Sequence, residues 1–223
     1  MRTLRLAHRG DWRYAPENTI RALELALDLP SCDGLEFDVR MSRDGVPVLL
    51  HDLTLLRVQG VPDPVDALDA DALDEFGVPP LSDVLATIDD SRPDAFLDVE
   101  LKGVDHGPPT AEVLLASRGP APHDAIVSSF EPVTLEAMRD LLPRWGRWLN
   151  ARALSDATIR QAIDLGCTGV SARHESIDPA TFAEATDAGL EVAGWTVRDL
   201  GTWSRLAALG VRAVCVEAEA LDG

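Results

Sequence analysis

Acidic side chains interrupt two apolar runs of this chain, where a charged group is rarely buried unless it is paired or bound to a metal. Glu36 and Asp38 lie in the run GLEFDVRM, and Glu100 lies in the run AFLDVELK. Carboxylate oxygens are the preferred ligands of hard divalent cations. The sequence therefore predicts a site for one divalent cation at Glu36, Asp38 and Glu100, with Mg2+ or Ca2+ as the first candidates and Mn2+ as a third.

Two histidines and a few basic groups extend this candidate site. His8 and Arg9 come at the end of the run LRLAH, and His51 lies in the run VPVLLHD. The alternative is a structural network in which the acids only pair with Arg9, Arg40 and Lys102. Two histidines at strand ends, taken together with three acids, favour a functional site over that network.

Lys102 is the only lysine in the chain, and the other 19 basic side chains are arginine. Alternation along a strand places Asp98, Glu100 and Lys102 on one face. The formal net charge is −18, so a site for a small anion needs local positive potential from a few basic groups, helix N-termini or a bound cation. Lys102 is a candidate for such a group.

Strand-like and helix-like segments alternate along the whole chain. The strand-like runs span residues 4–8, 34–41, 95–102, 125–130, 145–151, 168–173, 190–197 and 211–217. Segments of helical period lie near residues 18–29, 81–90, 110–118, 132–142, 155–165, 179–188 and 199–209. Continuous apolar strands that alternate with helices are typical of a buried parallel sheet with helices outside it.

One further run, VPVLLHD at 46–52, does not fit the alternation, because only SRDG separates it from the second strand. So short a link cannot join parallel neighbours, whereas an Asp-Gly pair between two strands predicts a hairpin. With Asp44 and Gly45 as the two turn residues, Asp38 lies directly opposite His51, and Glu36, Asp38 and His51 converge. A loop of three or four residues would shift this register.

Without the hairpin strand, eight parallel strands remain, which is the number that closes a (β/α)8 TIM barrel. We expect one α/β domain over residues 1–223, with the hairpin inserted after the second strand. Such barrels place their chemistry at the carboxyl ends of the strands, where the histidines, acids and Lys102 lie in this sequence.

Composition excludes several other classes of function. A net charge of −18 and an isoelectric point near 4.5 oppose binding to nucleic acid. The three cysteines are far apart, which fits reduced thiols better than disulfides or a zinc site. The N-terminus lacks the apolar run of a secretory signal, and no stretch resembles a membrane span. We therefore expect a soluble cytoplasmic protein, and the sequence makes no prediction of its oligomeric state.

An ordered set of short motifs is similar to the glycerophosphodiester phosphodiesterase family across nearly the whole chain. The motifs are HRG at 8–10, PENT at 16–19, EFDV at 36–39, DG at 44–45, HD at 51–52, PPL at 79–81, VELK at 99–102, SSF at 128–130 and WTV at 195–197. The resemblance implies a metal-dependent barrel that cleaves small-molecule glycerophosphodiesters to glycerol 3-phosphate and an alcohol.

The resemblance also implies roles for individual residues. His8 and His51 correspond to the general acid/base pair, and the three acids correspond to the metal ligands. Arg9 and Lys102 would hold the phosphate, and Trp195 would form a wall for the glycerol moiety, although core packing of Trp195 is an open alternative. In this family the nucleophile is thought to be a hydroxyl of the substrate's own glycerol.

The chain departs from the family pattern in three places. The segment 53–78 after the hairpin is short and acidic, which implies a more open site. Glu217 stands where the family generally has Thr-Asp, and Arg198 stands where asparagine is usual. These differences lie at the expected pocket rim and affect substrate choice. Two other functions stay open: a related barrel that acts on another phospholipid-derived diester, and a phosphate-binding barrel without catalysis.

Other polar residues receive structural interpretations. Asn18 or a neighbour is predicted to cap the first helix, and Glu17 is predicted to pair with Arg9 or with a catalytic histidine. The remaining histidines, His106, His123 and His174, lie in polar loops and are predicted to be solvated at the surface.

Overall fold

A closed ring of eight parallel strands forms the centre of the computed structural model, which describes residues 2–223. The strands are β1 (Leu4–His8), β2 (Gly34–Met41), β3 (Pro47–Leu49), β4 (Phe96–Leu101), β5 (Ala125–Ser129), β6 (Gly146–Ala151), β7 (Gly169–Arg173), β8 (Glu191–Val197) and β9 (Ala213–Val216). The ring order is β1, β2, β4, β5, β6, β7, β8 and β9, and β9 pairs back with β1. The predicted (β/α)8 barrel is confirmed.

Helices cover the outside of the ring and connect its strands. They are α1 (Ile20–Leu27), α2 (Leu56–Gln59), α3 (Ala70–Glu75), α4 (Leu81–Ser91), α5 (Pro108–Arg118), α6 (Pro132–Leu141), α7 (Asp156–Asp164), α8 (Pro179–Asp187), α9 (Leu200–Leu209) and α10 (Glu219–Asp222). Seven of them match the predicted helices within two residues at each end, and the short α2, α3 and α10 lack a sequence signal strong enough to predict. No helix among residues 2–223 is long and apolar enough to cross a membrane.

The strand β3 pairs antiparallel with β2 outside the ring, but the predicted register is wrong by one residue. Met41 lies opposite Pro47, and the amide of Ser42 donates to the Val46 carbonyl at 2.9 Å. The loop therefore has three residues and ends at Gly45, whose φ of 79° is left-handed, as three-residue hairpins require. Asp38 consequently faces Leu50 instead of His51.

Two layers of apolar side chains hold the barrel together. The larger layer lies between the ring and the helices. A smaller cluster fills the amino-terminal end of the ring, where Phe96 and Trp148 stack with centroids 5.9 Å apart. Gly34 permits the close approach of β2 to β4 at this end, because a Cβ atom there would lie 2.0 Å from the Phe96 carbonyl oxygen. With this end closed by apolar packing, the carboxyl end of the ring is left for polar groups.

The segment 53–78, predicted as a short acidic insertion, contains α2, a 3-10 turn (Val65–Ala67) and α3. It builds a small core of its own, in which Val48, Leu50, Leu55 and Leu73 are buried. This core fixes the end of β3 and so positions the loop that carries His51.

Candidate active site

The register of the parallel strands brings the predicted acids together inside the carboxyl end of the ring. Glu36 of β2 is paired with His8 of β1 on one side and with Asp98 of β4 on the other. Asp38 is paired with Glu100. One oxygen from each of Glu36, Asp38 and Glu100 lies within 4.8 Å of the others.

The donor set of these three carboxylates fits a divalent cation. All three side chains are buried, and Asp38 has no exposed surface. Neither oxygen of Glu36 accepts a hydrogen bond from residues 2–223, and His8 Nε2 lies 3.8 Å from Glu36 Oε2. A buried carboxylate without donors is costly, and a cation bound to these oxygens would remove that cost.

The pKa values of the acids follow from this crowding. Burial, and then the charges of Asp38 and Glu100, raise the pKa of Glu36 well above its ordinary value. Burial and the Asp38 charge likewise raise the pKa of Glu100. Burial would also raise the pKa of Asp38, but Arg9 and Lys102 outweigh it and hold that pKa below its ordinary value. Asp38 is thus the acid that stays ionised.

Arg9 and Lys102 reach Asp38 from opposite sides. Arg9 Nε lies 2.9 Å from Asp38 Oδ2, and Lys102 Nζ lies 3.1 Å from Asp38 Oδ1 and 2.6 Å from Glu100 Oε1. Burial would lower the pKa of Lys102, but the charges of Asp38 and Glu100 outweigh it and raise that pKa. Both basic groups therefore remain charged beside the cluster and are positioned to contact an anion.

The backbone around Arg9 is held in an uncommon conformation. Arg9 has a left-handed φ of 62°, fixed by hydrogen bonds from its amide to the Glu36 carbonyl and from the Asn18 amide to its own carbonyl. Gly10 follows with a φ of 84°, and a Cβ atom there would meet the Ala22 carbonyl carbon at 2.5 Å. Such conformations persist where the surrounding structure over-determines them, often at functional sites.

His8 is oriented by Glu217 at the end of β9. His8 Nδ1 donates to Glu217 Oε1 at 2.5 Å, which leaves Nε2 facing the acids. Burial would raise the pKa of Glu217, but the hydrogen bond from His8 and the charge of Arg198 lower it. Arg198 Nε lies 2.8 Å from Glu217 Oε2. The two departures from the family pattern at Glu217 and Arg198 thus form one ion pair behind His8.

His51 has a similar arrangement, although it lies beyond the end of β3. Its Nδ1 donates to Asp52 Oδ1 at 2.6 Å, and Arg57 Nε donates to Asp52 Oδ2 at 2.6 Å. Arg57 also binds Glu17, which in turn accepts from Arg9 at 2.9 Å. Burial lowers the pKa of His51, against the opposing effect of the Asp38 charge.

A cavity of about 420 Å3 lies at the carboxyl end of the ring, with Glu36 and Glu100 among its lining residues. His8, Arg9, His51 and Lys102 are on its wall. Trp195 is on the wall too, where its indole Nε1 donates to the Ser171 carbonyl at 3.0 Å and its ring meets Phe130 edge-on with centroids 5.7 Å apart. All eight predicted site residues are therefore near one another, and Trp195 faces the cavity as well as packing on Phe130.

Two more polar residues, Asn18 and Asp98, lie next to the three acids. Thr19 caps α1, which confirms the prediction that Asn18 or a neighbour caps the first helix, and Asn18 Nδ2 donates to Asp38 Oδ2 at 2.8 Å. Asp98 lies beneath the acids and accepts from Ser128 at 2.6 Å, and burial raises its pKa to about 7. The sequence signal for Asn18 was its place in PENT. This motif is as consistent with a helix cap as with a hydrogen bond from the amide to an acid.

One predicted surface histidine is buried. His106 is 4% exposed, and its Nε2 donates to the Lys102 carbonyl at 3.1 Å. His123 is exposed as predicted, and His174 is half-buried. The polar sequence around His106 gave no sign that the imidazole of His106 would fold back against α5.

Most of the chain matches the model of one known protein family. Residues 8–218 match the model of the Glycerophosphoryl diester phosphodiesterase family. A Mycobacterium tuberculosis protein named "Probable glycerophosphodiester phosphodiesterase 2" is 30% identical over 214 residues, which cover 86% of this chain and 78% of that protein. A local match of 57 residues, 49% identical, covers 26% of this chain and 23% of a glycerophosphodiester phosphodiesterase from Caldanaerobacter subterraneus subsp. tengcongensis.

Among solved structures, an Oleispira antarctica phosphodiesterase in complex with the product sn-glycerol-3-phosphate superposes with a TM-score of 0.85. It is 25% identical in sequence, and the match covers 96% of this chain and 93% of that one.

Proposed function

Since the chain belongs to the glycerophosphoryl diester phosphodiesterase family and is a phosphoric diester hydrolase, we propose that it hydrolyses glycerophosphodiesters to glycerol 3-phosphate and an alcohol with one divalent cation. The observation that carries this proposal is the pair of carboxylate-bound histidines, His8 and His51, on the wall of a cavity that Glu36 and Glu100 of the acid cluster also line.

Each histidine is arranged to move a proton at its Nε2 atom. A carboxylate only accepts hydrogen bonds, so Glu217 and Asp52 keep a proton on Nδ1 of His8 and His51. Nε2 is then the nitrogen that takes or gives a proton, and the carboxylate stabilises the imidazolium. One histidine removes the proton of the attacking hydroxyl, and the other protonates the leaving alcohol.

The basic groups stabilise the charge that develops on phosphorus oxygens. A phosphodiester has one negative charge and gains more as the nucleophile adds, so fixed cations lower the barrier. Arg9 and Lys102 supply two such charges. A divalent cation held by Glu36, Asp38 and Glu100 would supply more positive charge at the same oxygens; Mg2+, Ca2+ and Mn2+ are the candidates.

The nucleophile in this proposal is a hydroxyl of the substrate's glycerol. Its oxygen forms a bond to phosphorus while the bond from phosphorus to the alcohol oxygen breaks, which gives a cyclic glycerol phosphate. Water then opens the ring, with the histidines exchanging roles. Trp195 and Phe130 would enclose the glycerol, which supports the wall assigned to Trp195.

The proposal also covers the whole protein. We take residues 1–223 as one domain, because the barrel uses strands from Leu4 to Val216. The three cysteines are buried free thiols, which supports the predicted cytoplasmic location.

The direct test is release of glycerol 3-phosphate from a panel of glycerophosphodiesters by the purified protein. EDTA should stop the release, and Mg2+, Ca2+ or Mn2+ should restore it. His8→Ala and His51→Ala should each lower kcat by about 100-fold or more while keeping the fold, whereas His123→Ala, a change at an exposed histidine, should retain full activity. Folded wild-type protein that releases nothing with any metal would contradict the proposal and favour another diester or a barrel that only binds phosphate.

A further inference from the structure

A second cavity, of about 340 Å3, adjoins the candidate active site. Arg152, Trp195 and Thr196 line both cavities. The two cavities therefore adjoin at Trp195, and the second lies next to the space in which a group bound at the acids would sit. No catalytic role assigned above uses this space.

Positive charge is concentrated around the second cavity. Arg152, Arg173 and Arg198 lie on its wall with His174, and Glu175 is the one acid among the lining residues. The chain as a whole has a net charge of −18, so most of its surface repels anions. The three arginines at this cavity are therefore an exception to the negative charge of the chain as a whole.

Of these three arginines, Arg152 is the one without an ion pair among residues 2–223. Arg198 is paired with Glu217 at 2.8 Å, and Arg173 with Glu175 at 3.3 Å. Arg152 is exposed, and its side chain makes no ion pair or hydrogen bond with any of residues 2–223. Its guanidinium therefore keeps its donors free for a ligand, and planar donors of this kind suit a carboxylate or a phosphate.

We propose that the second cavity is a subsite for an anionic group, a carboxylate or a phosphate, on the leaving alcohol of the substrate, with Arg152 as the anchor. This inference rests on the proposed function. The glycerol half of every glycerophosphodiester is uncharged, so a cluster of arginines can discriminate between substrates only through the alcohol half. The enzyme therefore prefers diesters whose alcohol has an added negative charge.

The test compares glycerophosphoserine with glycerophosphoethanolamine, which differ by one carboxylate. The wild-type protein should have the higher kcat/KM for the serine diester. Arg152→Gln should lower the ratio of the two kcat/KM values by about five- to tenfold, as expected for loss of a charge-assisted hydrogen bond. Arg152→Lys, which keeps the charge but loses the planar fork, should retain part of the preference.

Arg144→Gln is the matched control. Arg144 is also exposed, and it too lacks an ion pair within residues 2–223, but it lies between α6 and β6, at the opposite end of the barrel. This variant should leave the ratio unchanged. Thermal midpoints of all variants should agree with wild type, because the side chain of neither arginine makes an ion pair or hydrogen bond within residues 2–223.

Each other outcome has a defined meaning. An unchanged ratio in Arg152→Gln overturns the subsite. An equal loss for both diesters also overturns it, because Arg152 would then act on the phosphodiester itself. Turnover of glycerophosphoethanolamine reports on the proposed function alone, so absence of turnover with both substrates and all metals refutes the proposed function and the subsite with it.

Discussion

Lys102 shows how one side chain connects the parts of the site. Its ammonium lies 3.1 Å from Asp38 and 2.6 Å from Glu100, and it is 5.6 Å from the centre of the Phe130 ring. A compact point charge can bridge two carboxylates and still face the cavity, whereas a guanidinium is broader and needs a planar partner. The sequence indicated the residue by its uniqueness, but the bridge itself depends on the register of β2 and β4.

Lys102→Arg should therefore lower kcat/KM by about tenfold or more and change the thermal midpoint by less than about 3 °C. The larger group would displace the substrate phosphate or one of the acids while the positive charge is kept. Steady-state kinetics and a thermal melt measure the two effects. Kinetics equal to wild type would show that the only lysine of the chain has no geometric role.

Glu217 is a positioning residue that acts through His8. Glu217→Gln should lower kcat by about 10- to 100-fold with little change in KM, because the substrate contacts stay but the imidazolium loses its carboxylate. Glu217→Asp keeps the charge and should recover part of kcat. If KM rises while kcat is unchanged, Glu217 affects binding and not the orientation of His8.

At the scale of elements, the hairpin shows the limit of pattern analysis. The Asp44-Gly45 pair correctly predicted that β3 folds back on β2. The pair does not distinguish a two-residue turn from a three-residue loop, because Gly45 takes a left-handed φ in both. His51 reaches the cavity through the loop after β3, which the core of segment 53–78 holds in place. The prediction that Glu36, Asp38 and His51 converge thus rested on a wrong register.

The loop between β4 and α5 gives a prediction about pH. Burial lowers the pKa of His106 to about 4, against its hydrogen bonds to the Lys102 and Val39 backbone, and the charges of Arg40 and Asp105 have smaller effects of opposite sign. Between pH 6.5 and 4 the unfolded chain binds a proton on His106 that the folded chain does not. Acidification across this range therefore favours unfolding, by up to roughly 3 kcal/mol from this group.

Urea unfolding at pH 7 and pH 4 should show this loss in the wild type. In His106→Gln the free energy of unfolding should fall less over the same range, because glutamine does not titrate. In His123→Gln, a change at an exposed histidine, the free energy of unfolding should fall as much as in the wild type. If the free energy of unfolding falls by the same amount between pH 7 and pH 4 in wild type and His106→Gln, His106 is protonated without opening of its pocket.

At the scale of the whole molecule, closure of the barrel is what makes a site from distant residues. His8 and Glu217 are 209 residues apart and meet because β9 closes on β1. Counting strands predicts closure and hence which strand ends share a face. It does not predict which carboxylate holds which histidine, because that depends on side-chain reach of a few ångströms. The Glu217–His8 pair and the Arg57–Asp52–His51 chain were therefore missed, although Glu17 was correctly paired with Arg9.

Metal binding should appear in global stability as well as in activity. A cation at 100 times its Kd adds about 2.7 kcal/mol, or roughly 5 to 10 °C in Tm for a chain of this size. Glu36→Gln should lose most of this shift. In EDTA the same variant should melt above the wild type, because it removes from the three crowded acids the one whose two oxygens both lack donors.

Glu184→Gln, at an exposed acid on α8, is the control for the loss of one negative charge. Its metal-dependent shift should match that of the wild type. A full shift in Glu36→Gln would mean that the stabilising cation binds elsewhere on this acidic surface.

Because the chain has a single lysine, opening of the barrel can be followed by proteolysis. A lysine-specific protease can cut this chain at one peptide bond, between Lys102 and Gly103, near the middle of the sequence. In the native barrel the Lys102 side chain is only 14% exposed, and its backbone amide and carbonyl are bonded to Val39 and His106. Cleavage therefore requires that these hydrogen bonds break and that the segment after β4 opens. The two fragments of nearly equal size therefore count the molecules that have opened, without a label or an engineered site.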